Sequence, residues 1–417
     1  MITAIKKMQE MMSGLKIYVS VFLCSVIIFL CSGTPVFSQT KTTTNSLTGG
    51  INTITTAVPF LLIAPDARAG AMGDAGVASS PDAASIHWNA AKLGFADKNI
   101  GCLVSYTPWL HALVPDISLA YISMYKRMKK DQTLAASLRY FSLGNITFTD
   151  IGGYEIGQFT PHEFALDVAY ARRLSDRFSG GMAMRYINSN LTGGYYVDGN
   201  ASHPGQSVAV DISTYYRNEE IEVAKHKSVL GFGLNISNIG AKIAYTQTGN
   251  RDFIPINMRL GGSLKMALDE YNEIAFLADL TKLLVPTPPV YVTDSLGNKT
   301  ILAGKDPAVG ITQGMLQSFY DAPGGGKEEL KEVNVSIGTE YWYDKQFAIR
   351  AGYFYEDPTK GNRKFFTLGA GLKYNVFSID FAYLIPTQQK NPLENTLRFS
   401  LLFDFDAFKS QNKTEAQ

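Results

Sequence analysis

The stretch HEFALDVAYARRL, residues 162–174, alternates between two kinds of side chain from Phe164 to Ala171. One set of alternate positions carries large apolar groups: Phe164, Leu166, Val168 and Tyr170. The positions between these four carry alanine and a single charge, Asp167. Successive side chains of a strand point to opposite faces, so the pattern predicts a β-strand with one apolar face and one small or polar face. The stretch is longer than the roughly 9–11 residues that a tilted strand needs to cross a bilayer.

The same alternation recurs between residues 96 and 408 and predicts an all-β fold, a transmembrane antiparallel barrel of fourteen strands. The predicted strands span residues 98–109, 116–128, 132–143, 162–174, 178–190, 206–217, 228–238, 255–268, 272–283, 332–343, 346–356, 364–374, 376–386 and 396–408. Short turns alternate with long connections, of which 284–331 is the longest, as in barrels with periplasmic turns and extracellular loops. Only Asn218–Lys227 is longer and more charged than its place among the short turns predicts.

Eight charged residues lie on the small or polar faces of these strands. A charge facing lipid near the middle of the bilayer costs about 2–4 kcal/mol, so we expect all eight to face the lumen, where opposite charges can pair. They are Arg139, Asp167, Arg185, Asp211, Arg259, Asp279, Arg350 and Asp380. The charged fraction of 18% is below the roughly 25% of soluble domains, which agrees with a barrel in a membrane.

Residues 1–38 have the order of a secretory signal peptide. A basic start precedes an apolar run from Ile17 to Cys31, and small residues then lead to Ser38, after which we expect cleavage. A single-pass anchor and a lipoprotein modified at Cys31 are the alternatives, although the run is short for a membrane helix. The mature chain would keep one cysteine, Cys102, which excludes an internal disulfide.

Residues 64–95 are rich in glycine and alanine and too poor in large apolar side chains to form a core of their own. A fourteen-stranded barrel has an interior to fill, so we predict that this segment is a luminal plug. Its distinctive residues are Gly70, Gly73, Gly76, Trp88 and Asn89. A short helix through Ile86, Trp88 and Leu93 would be capped by Ser80 or Asp82.

The flanking segments complete the predicted organisation. Residues 39–63 are expected to be a periplasmic or luminal segment, and residues 409–417 a periplasmic tail, so that both termini lie in the periplasm. The barrel itself occupies residues 96–408.

Composition and motif spacing exclude several functions. The 38 basic residues balance 37 acidic ones, which does not favour a nucleic-acid partner. The five histidines form no close-spaced pair, so we expect neither a metal site nor a cofactor. PGGGKEE, residues 323–329, lacks the Ser or Thr that follows the lysine of a phosphate loop, and the spacing of Gly70, Gly73 and Gly76 does not match a dinucleotide fingerprint.

Several segments resemble the PorV family of type IX secretion proteins: ARAGAMGDAGVASSPDA at 67–83, AASLRYFSLGNITFTD at 135–150 and LLVPTPP at 283–289. WNAAKLG, residues 88–94, is similar to the Asn-Pro-Ala hatch turn of FadL-type barrels, with Ala90 in place of proline. The resemblance implies an outer-membrane carrier that is not an enzyme. Its implied partners are the SprA translocon, the C-terminal signal domains of secreted proteins, a PorU-like sortase attachment complex, and the lipid and lipopolysaccharide of the outer membrane.

Apolar residues in extracellular loop 284–331 form the predicted surface for cargo or partners. They are Leu284, Val285, Pro286, Pro288, Pro289, Tyr291, Ile311, Met315, Phe319 and Tyr320. A helix-like run over residues 310–320 would place Ile311, Met315 and Phe319 on one face. The alternative for this loop is that it folds back and seals the barrel mouth.

Two other functions remain open for the whole chain. One is a FadL-like channel for hydrophobic small molecules, in which wall glycines such as Gly181, Gly233 and Gly262 mark an opening, although they equally suit close packing against the plug. The other is a lipid A deacylase that uses His162 or His203, which requires a nucleophile beside an oriented base.

Overall fold

The computed structural model describes residues 51–111, 114–149, 152–194, 196–197, 200–246, 251–293, 298–388 and 391–405. The predicted signal peptide, the predicted tail and residues 39–50 lie outside these ranges. Fourteen antiparallel strands close into a barrel, in which each strand pairs with the next and the last pairs with the first. The barrel strands are β1 (Ile100–Pro108), β2 (Ile117–Lys129), β3 (Gln132–Leu143), β6 (His162–Arg173), β7 (Phe178–Asn190), β10 (Gly205–Val223), β11 (His226–Gly240), β12 (Asn257–Ala267), β13 (Asn272–Leu283), β16 (Asn334–Tyr343), β17 (Phe347–Tyr355), β18 (Lys364–Tyr374), β19 (Phe377–Pro386) and β20 (Leu397–Asp404).

The remaining elements lie in the connections and before the first strand. Three hairpins are formed by β4 (Ile146–Thr149) and β5 (Glu155–Phe159), β8 (Tyr196–Val197) and β9 (Asn200–Ala201), and β14 (Val290–Thr293) and β15 (Lys299–Ala303). The helices are α1 (Ala67–Gly70), α2 (Ser85–Trp88), α3 (Ile311–Gln317) and α4 (Gly326–Lys331), with 3-10 helices η1 (Pro59–Leu62) and η2 (Ala90–Phe95). Within these described ranges, no helix is long and apolar enough to span a membrane.

The alternating pattern decides which face of each strand lines the lumen. All eight charged residues predicted to face inward are buried, whereas Leu166 and Val168 of β6 are exposed on the outside. Strand register places opposite charges directly across from each other, as for Asp167 on β6 and Arg185 on β7. The predicted sidedness is therefore confirmed.

The connection predicted at Asn218–Lys227 is wrong, because it is a hairpin turn of two residues. Strands β10 and β11 continue past Asn218, and only Ala224 and Lys225 join them. Both turn residues have positive φ, 51° and 69°, as a two-residue hairpin turn requires. The strand ends were not predicted because their charged side chains break the apolar alternation. These side chains lie on a part of the hairpin that is exposed to solvent. All the turns at this end of the barrel are consequently short.

The single helix predicted through Ile86 and Leu93 is divided into α2 and η2. Asn89 separates them with an extended backbone, and its side-chain oxygen accepts a hydrogen bond from Ala91 N (3.0 Å) at the start of η2. Its amide donates to Thr214 O (2.9 Å) on β10 and to Val77 O (3.2 Å). Neither Ser80 nor Asp82 caps α2, which begins without a side-chain cap.

Candidate functional site

Residues 64–95, which we call the luminal segment, lie inside the barrel. All of them except Ser80 are buried or half-buried. Inward-facing hydroxyl groups on strands around the whole circumference bond to the backbone of this segment. These bonds are Ser123–Ala83 O (2.8 Å), Thr133–Leu93 O (2.9 Å), Ser179–Ala91 O (2.6 Å), Ser263–Ala78 O (2.7 Å), Thr367–Ala71 O (2.9 Å) and Ser400–Ala67 N (2.8 Å). Only a segment in the lumen can reach all these strands.

Wall glycines allow the luminal segment to approach the barrel backbone closely. A Cβ atom at Gly352 of β17 would lie 2.1 Å from Gly73 N, and one at Gly338 of β16 would lie 2.5 Å from Met72 Cβ. On other strands, a Cβ at Gly181 or Gly233 would lie 2.6 Å from a backbone atom of the segment. These glycines therefore serve close packing, because a larger residue would push the segment away from the wall.

The five residues singled out in the predicted plug all lie at close contacts. A Cβ atom at Gly70 would lie 2.3 Å from Arg398 Nη1, and one at Gly76 would lie 2.4 Å from the Trp88 ring. Gly73 has a φ of +67°, and its amide donates to Thr367 Oγ1 (2.8 Å). The Trp88 indole donates to Asp66 Oδ1 (2.7 Å), while Asn89 holds the segment to β10 as described above.

Ion pairs cross-link the lumen. Arg185 bonds to Asp167 (2.5 Å) and Asp211 (3.1 Å), which joins β6, β7 and β10. A second group joins the segment to the wall through Arg68, whose guanidinium bonds to Glu340 (2.8 Å). The prediction missed Glu340, although it lies on the same face of β16 as Ser336 and Gly338 and so fitted the rule used for the other charges.

Residues 51–63, which we call the strap, lead from the long-loop end of the barrel into the lumen. Asn52 N donates to Thr359 O (2.9 Å) in the connection between β17 and β18. Its side-chain amide donates to Pro288 O (3.3 Å) and Glu328 Oε1 (3.0 Å) in the connection between β13 and β16. Residues 51–56 and the long loops therefore lie at the same end of the barrel.

Part of loop 284–331 folds back onto the barrel mouth. Leu284, Val285, Pro286 and Pro289 are buried, and Pro288 is half-buried. Leu284 and Val285 pack into an apolar cluster with Phe60 of the strap and Phe253, and Ile311 and Met315 lie against the same cluster. These residues were predicted to offer a surface to partners, but their burial leaves most of them inaccessible.

Another part of the loop is exposed and aromatic. Tyr291 is 49% exposed, Phe319 is 47% exposed and Tyr320 is 58% exposed. Leu316 of α3, another apolar residue of this loop, is 63% exposed because α3 turns its Ile311 and Met315 face toward the barrel. We call these four residues the outer apolar surface.

Buried ion pairs hold the loop to the barrel rim. Lys282 at the end of β13 bonds to Glu332 (2.6 Å) and Glu329 (3.0 Å). Lys360, between β17 and β18, bonds to Glu328 (2.6 Å) and Glu332 (3.0 Å). Four of these five groups are at least nine-tenths buried, so their charges stabilise one another and fix the position of α4.

Two carboxyl groups of the loop have pKa values that are shifted in opposite directions. Burial, with Glu329 and Glu332 nearby, raises the pKa of Asp321 to about 6, although the Thr287 amide donates to it (3.1 Å). Burial also opposes ionisation of Glu328, but the Lys360 ammonium, the Gly324 amide and the Asn52 side chain together lower the pKa of Glu328.

Two cavities lie on either side of one short stretch of the luminal segment. A cavity of about 610 Å³ at the long-loop end is lined by Thr53, Phe60, Asp74, Trp109, Phe365 and Arg398. A more polar cavity of about 420 Å³ at the short-turn end is lined by Arg68, Asp82, Glu340, Trp342 and Lys373. Residues 68–74 separate them, and Arg398 Nη1 bonds to Asp74 Oδ1 (2.6 Å) in this partition.

A family model, the type IX secretion system protein PorV, matches residues 47–290, which are 244 of the 417 residues. The chain belongs to the PorV family. This PorV-family chain is thus an outer-membrane β-barrel component of the type IX secretion system. No curated protein sequence matches it.

Several solved structures are similar to the PorV-family chain. The toluene transporter TodX of Pseudomonas putida is 13% identical, and the alignment covers 85% of this chain and 99% of TodX with a TM-score of 0.44. The toluene transporter TbuX of Ralstonia pickettii is 12% identical, with coverages of 82% and 96% and a TM-score of 0.42. A FadL homologue of Pseudomonas aeruginosa is 12% identical, with coverages of 85% and 99% and a TM-score of 0.43.

The two histidines considered for a deacylase, His162 and His203, both contact backbone carbonyl groups. His162 Nδ1 lies 3.0 Å from Thr160 O, and His203 Nδ1 lies 3.1 Å from Pro204 O, so both rings face backbone carbonyls. Within the part of the chain that the structure describes, no group of three or more His, Cys, Asp or Glu residues is placed to hold a metal ion.

Proposed function

We propose that this PorV-family barrel is a non-catalytic shuttle of the type IX secretion system. It binds the C-terminal signal domains of secreted proteins as they leave the SprA translocon and delivers them to a PorU-like attachment complex. In this proposal the signal peptide 1–38 is removed, the long loops face outward, and outer-membrane lipid and lipopolysaccharide surround the strands. The observation that carries the proposal is the exposed outer apolar surface on a loop held by buried ion pairs.

The chemistry of the outer apolar surface suits a protein partner. Tyrosine and phenylalanine are enriched at the centres of protein interfaces, where they bury a large area at a small cost in side-chain entropy. Lys305 Nζ lies 3.7 Å from the centre of the Tyr320 ring, which adds a positive charge at the edge of the apolar groups. A partner with an apolar patch bordered by carboxylates would fit this surface.

The rigidity of the loop supports the same function. Lys282 and Lys360 fix α4 through Glu328, Glu329 and Glu332, and the buried Leu284 and Val285 anchor the start of the loop. A surface that is already ordered loses little conformational entropy when a partner binds, so more of the contact energy appears as affinity.

A channel for hydrophobic small molecules is the second candidate, and the two cavities favour it. A solute could pass between them only if residues 68–74 moved away from the wall. The contact between Gly73 and Gly352 and the bond between Asp74 and Arg398 both oppose this movement. The filled lumen therefore favours a binding platform.

A double substitution tests the binding surface. Phe319→Ala with Tyr320→Ala should lower recovery of a purified C-terminal signal domain about thirtyfold or more, because two aromatic anchors each contribute about 1–2 kcal/mol. The matched control is Tyr343→Ala with Phe347→Ala, an equally exposed pair at the opposite end of the barrel. Both proteins should remain heat-modifiable on gels.

Two results would contradict the shuttle. Undiminished recovery of the signal domain by the Phe319/Tyr320 variant would show that the outer apolar surface does not bind cargo. A robust single-channel conductance of the purified wild-type barrel in planar bilayers would favour the channel.

A further inference from the structure

The strap enters the barrel from the end opposite to the one where the luminal segment leaves it. Ile51 is 81% exposed beside the long loops, and Ala57 N donates to Phe253 O (2.9 Å) in the connection between β11 and β12. After the luminal segment, β1 begins at Ile100, which pairs with Lys126 near the short turn between β2 and β3. The chain therefore passes through the closed cylinder from one end to the other.

The strap and loop 284–331 share contacts at the mouth. Asn52 touches three sites: Thr359 O, Pro288 O and the same Glu328 oxygen that accepts from Lys360. Below this point, Phe60 of the strap packs in one apolar cluster with Leu284 of the loop. A movement of the strap would therefore remove both polar and apolar support from the loop.

The strap is held by its surroundings and not by local preference. Val58 has a φ of 48°, a left-handed conformation that β-branched residues rarely adopt, and its side chain is buried. Deeper in the lumen, Arg139 Nη1 donates to Leu61 O (2.8 Å). Loss of the contacts at the mouth should therefore release residues 51–57 before the rest of the strap.

We propose that residues 51–57 of the strap form a clasp at the outer end of the barrel, and that Asn52 is a positioning residue for loop 284–331. The lumen thus carries the N-terminal part of the folded chain to the side where the partner surface lies. The outward orientation of the clasp and its effect on cargo rest on the proposed function, whereas the path of the chain through the lumen and the contacts of Asn52 do not.

Cysteine labelling tests the threading. In a Cys102→Ser background, Ile51→Cys should react with a membrane-impermeant maleimide under the same conditions as Leu302→Cys, which lies in the exposed β14–β15 hairpin. Labelling is compared between intact and lysed cells. Lys130→Cys lies in the short turn between β2 and β3, at the other end of the barrel. If Ile51→Cys and Leu302→Cys react in intact cells, Lys130→Cys should react only after lysis; if they react only after lysis, Lys130→Cys should react in intact cells. If Ile51→Cys follows Lys130→Cys, the threading is overturned, whichever side the loops face.

An asparagine substitution tests the clasp. Asn52→Ala removes two side-chain hydrogen bonds, so amide exchange of residues 324–332 should become about tenfold faster. The control is Asn145→Ala, which removes a side-chain bond to Gln158 (3.3 Å) at the same end but far from α4 in the sequence. Unchanged exchange in Asn52→Ala would overturn the positioning role.

The cargo assay separates this proposal from the proposed function. Asn52→Ala should lower recovery of the signal domain, whereas Asn145→Ala should not. Faster loop exchange with full cargo recovery would support the clasp and count against the outer apolar surface as the cargo site.

Discussion

Substitution of Gly352 by alanine should detach the luminal segment from β17. The new Cβ atom would lie 2.1 Å from Gly73 N and 2.2 Å from Met72 C, whereas carbon contacts are normally about 3.5–4.0 Å. Both neighbours are backbone atoms, so no side chain can rotate to relieve the contact. The segment must move by more than about 1 Å, and that movement breaks its two bonds to Thr367 Oγ1.

The expected cost follows from these two effects. Overpacking of a well-packed site costs about 1–3 kcal/mol. Each lost hydrogen bond adds about 0.5–1.5 kcal/mol, which gives a total of about 2–6 kcal/mol for the docked state. Because about 1.4 kcal/mol corresponds to a factor of ten, undocking should become at least about thirtyfold more frequent.

Hydrogen exchange of residues 67–80 in lipid nanodiscs measures this equilibrium, and planar-bilayer recording reports whether the two cavities become connected. Gly262→Ala is the matched control, because this wall glycine faces away from the segment and a Cβ there would meet only the Phe232 ring at 3.4 Å. Wild-type exchange in Gly352→Ala would refute the reasoning, as would an equal increase in Gly262→Ala.

Three further predictions concern the loops and the histidines. Lys360→Met leaves buried carboxylates short of a partner, so it should weaken the attachment of the loop by about 3 kcal/mol and speed tryptic cleavage there, with heat-modifiability unchanged; wild-type cleavage kinetics would contradict this. Because burial raises the pKa of Asp321 from 3.8 to about 6, its contribution to loop stability is complete below about pH 3.8 and is lost as the pH rises through 6. Loop protection, measured by hydrogen exchange corrected for intrinsic rates, should therefore be higher at pH 5 than at pH 7.5, and Asp321→Asn should flatten this dependence; an equal slope in the variant would refute it. Replacing His162 and His203 together by alanine should leave the lipid A composition unchanged by mass spectrometry, and an accumulation of acylated species would instead support the deacylase.

Local patterning predicted the barrel well, because each strand meets the same physical constraint. In every strand the lipid selects apolar side chains on one face, so Leu166 and Val168 point outward while Asp167 lies opposite Arg185 inside. One failure of the alternation lies where that constraint ends. At Asn218 the hairpin leaves the apolar environment, and its charged residues resembled a loop although they form strands.

The candidate site was less predictable, because its accessibility depends on residues far apart in the chain. Ten apolar loop residues were equally plausible partner contacts in the sequence. The structure buries Leu284 and Val285 because Phe60 of the strap and Phe253 cover them. Leu316 lies on a second apolar face of α3, and only the packing of Ile311 and Met315 shows that the Leu316 face remains exposed.

The sequence by itself determined the number of strands, the face of each strand that lines the lumen, and the presence of a small-residue segment suited to fill it, since these depend on the alternation of neighbouring side chains against a common bilayer. The tertiary structure alone decided the direction in which the N-terminal part runs through the lumen, the wall glycines that it touches, and the loop residues that remain exposed. Each of these depends on contacts between distant parts of the chain, such as Asn52 with Glu328 and Gly73 with Gly352. Local periodicity carries no information about such contacts.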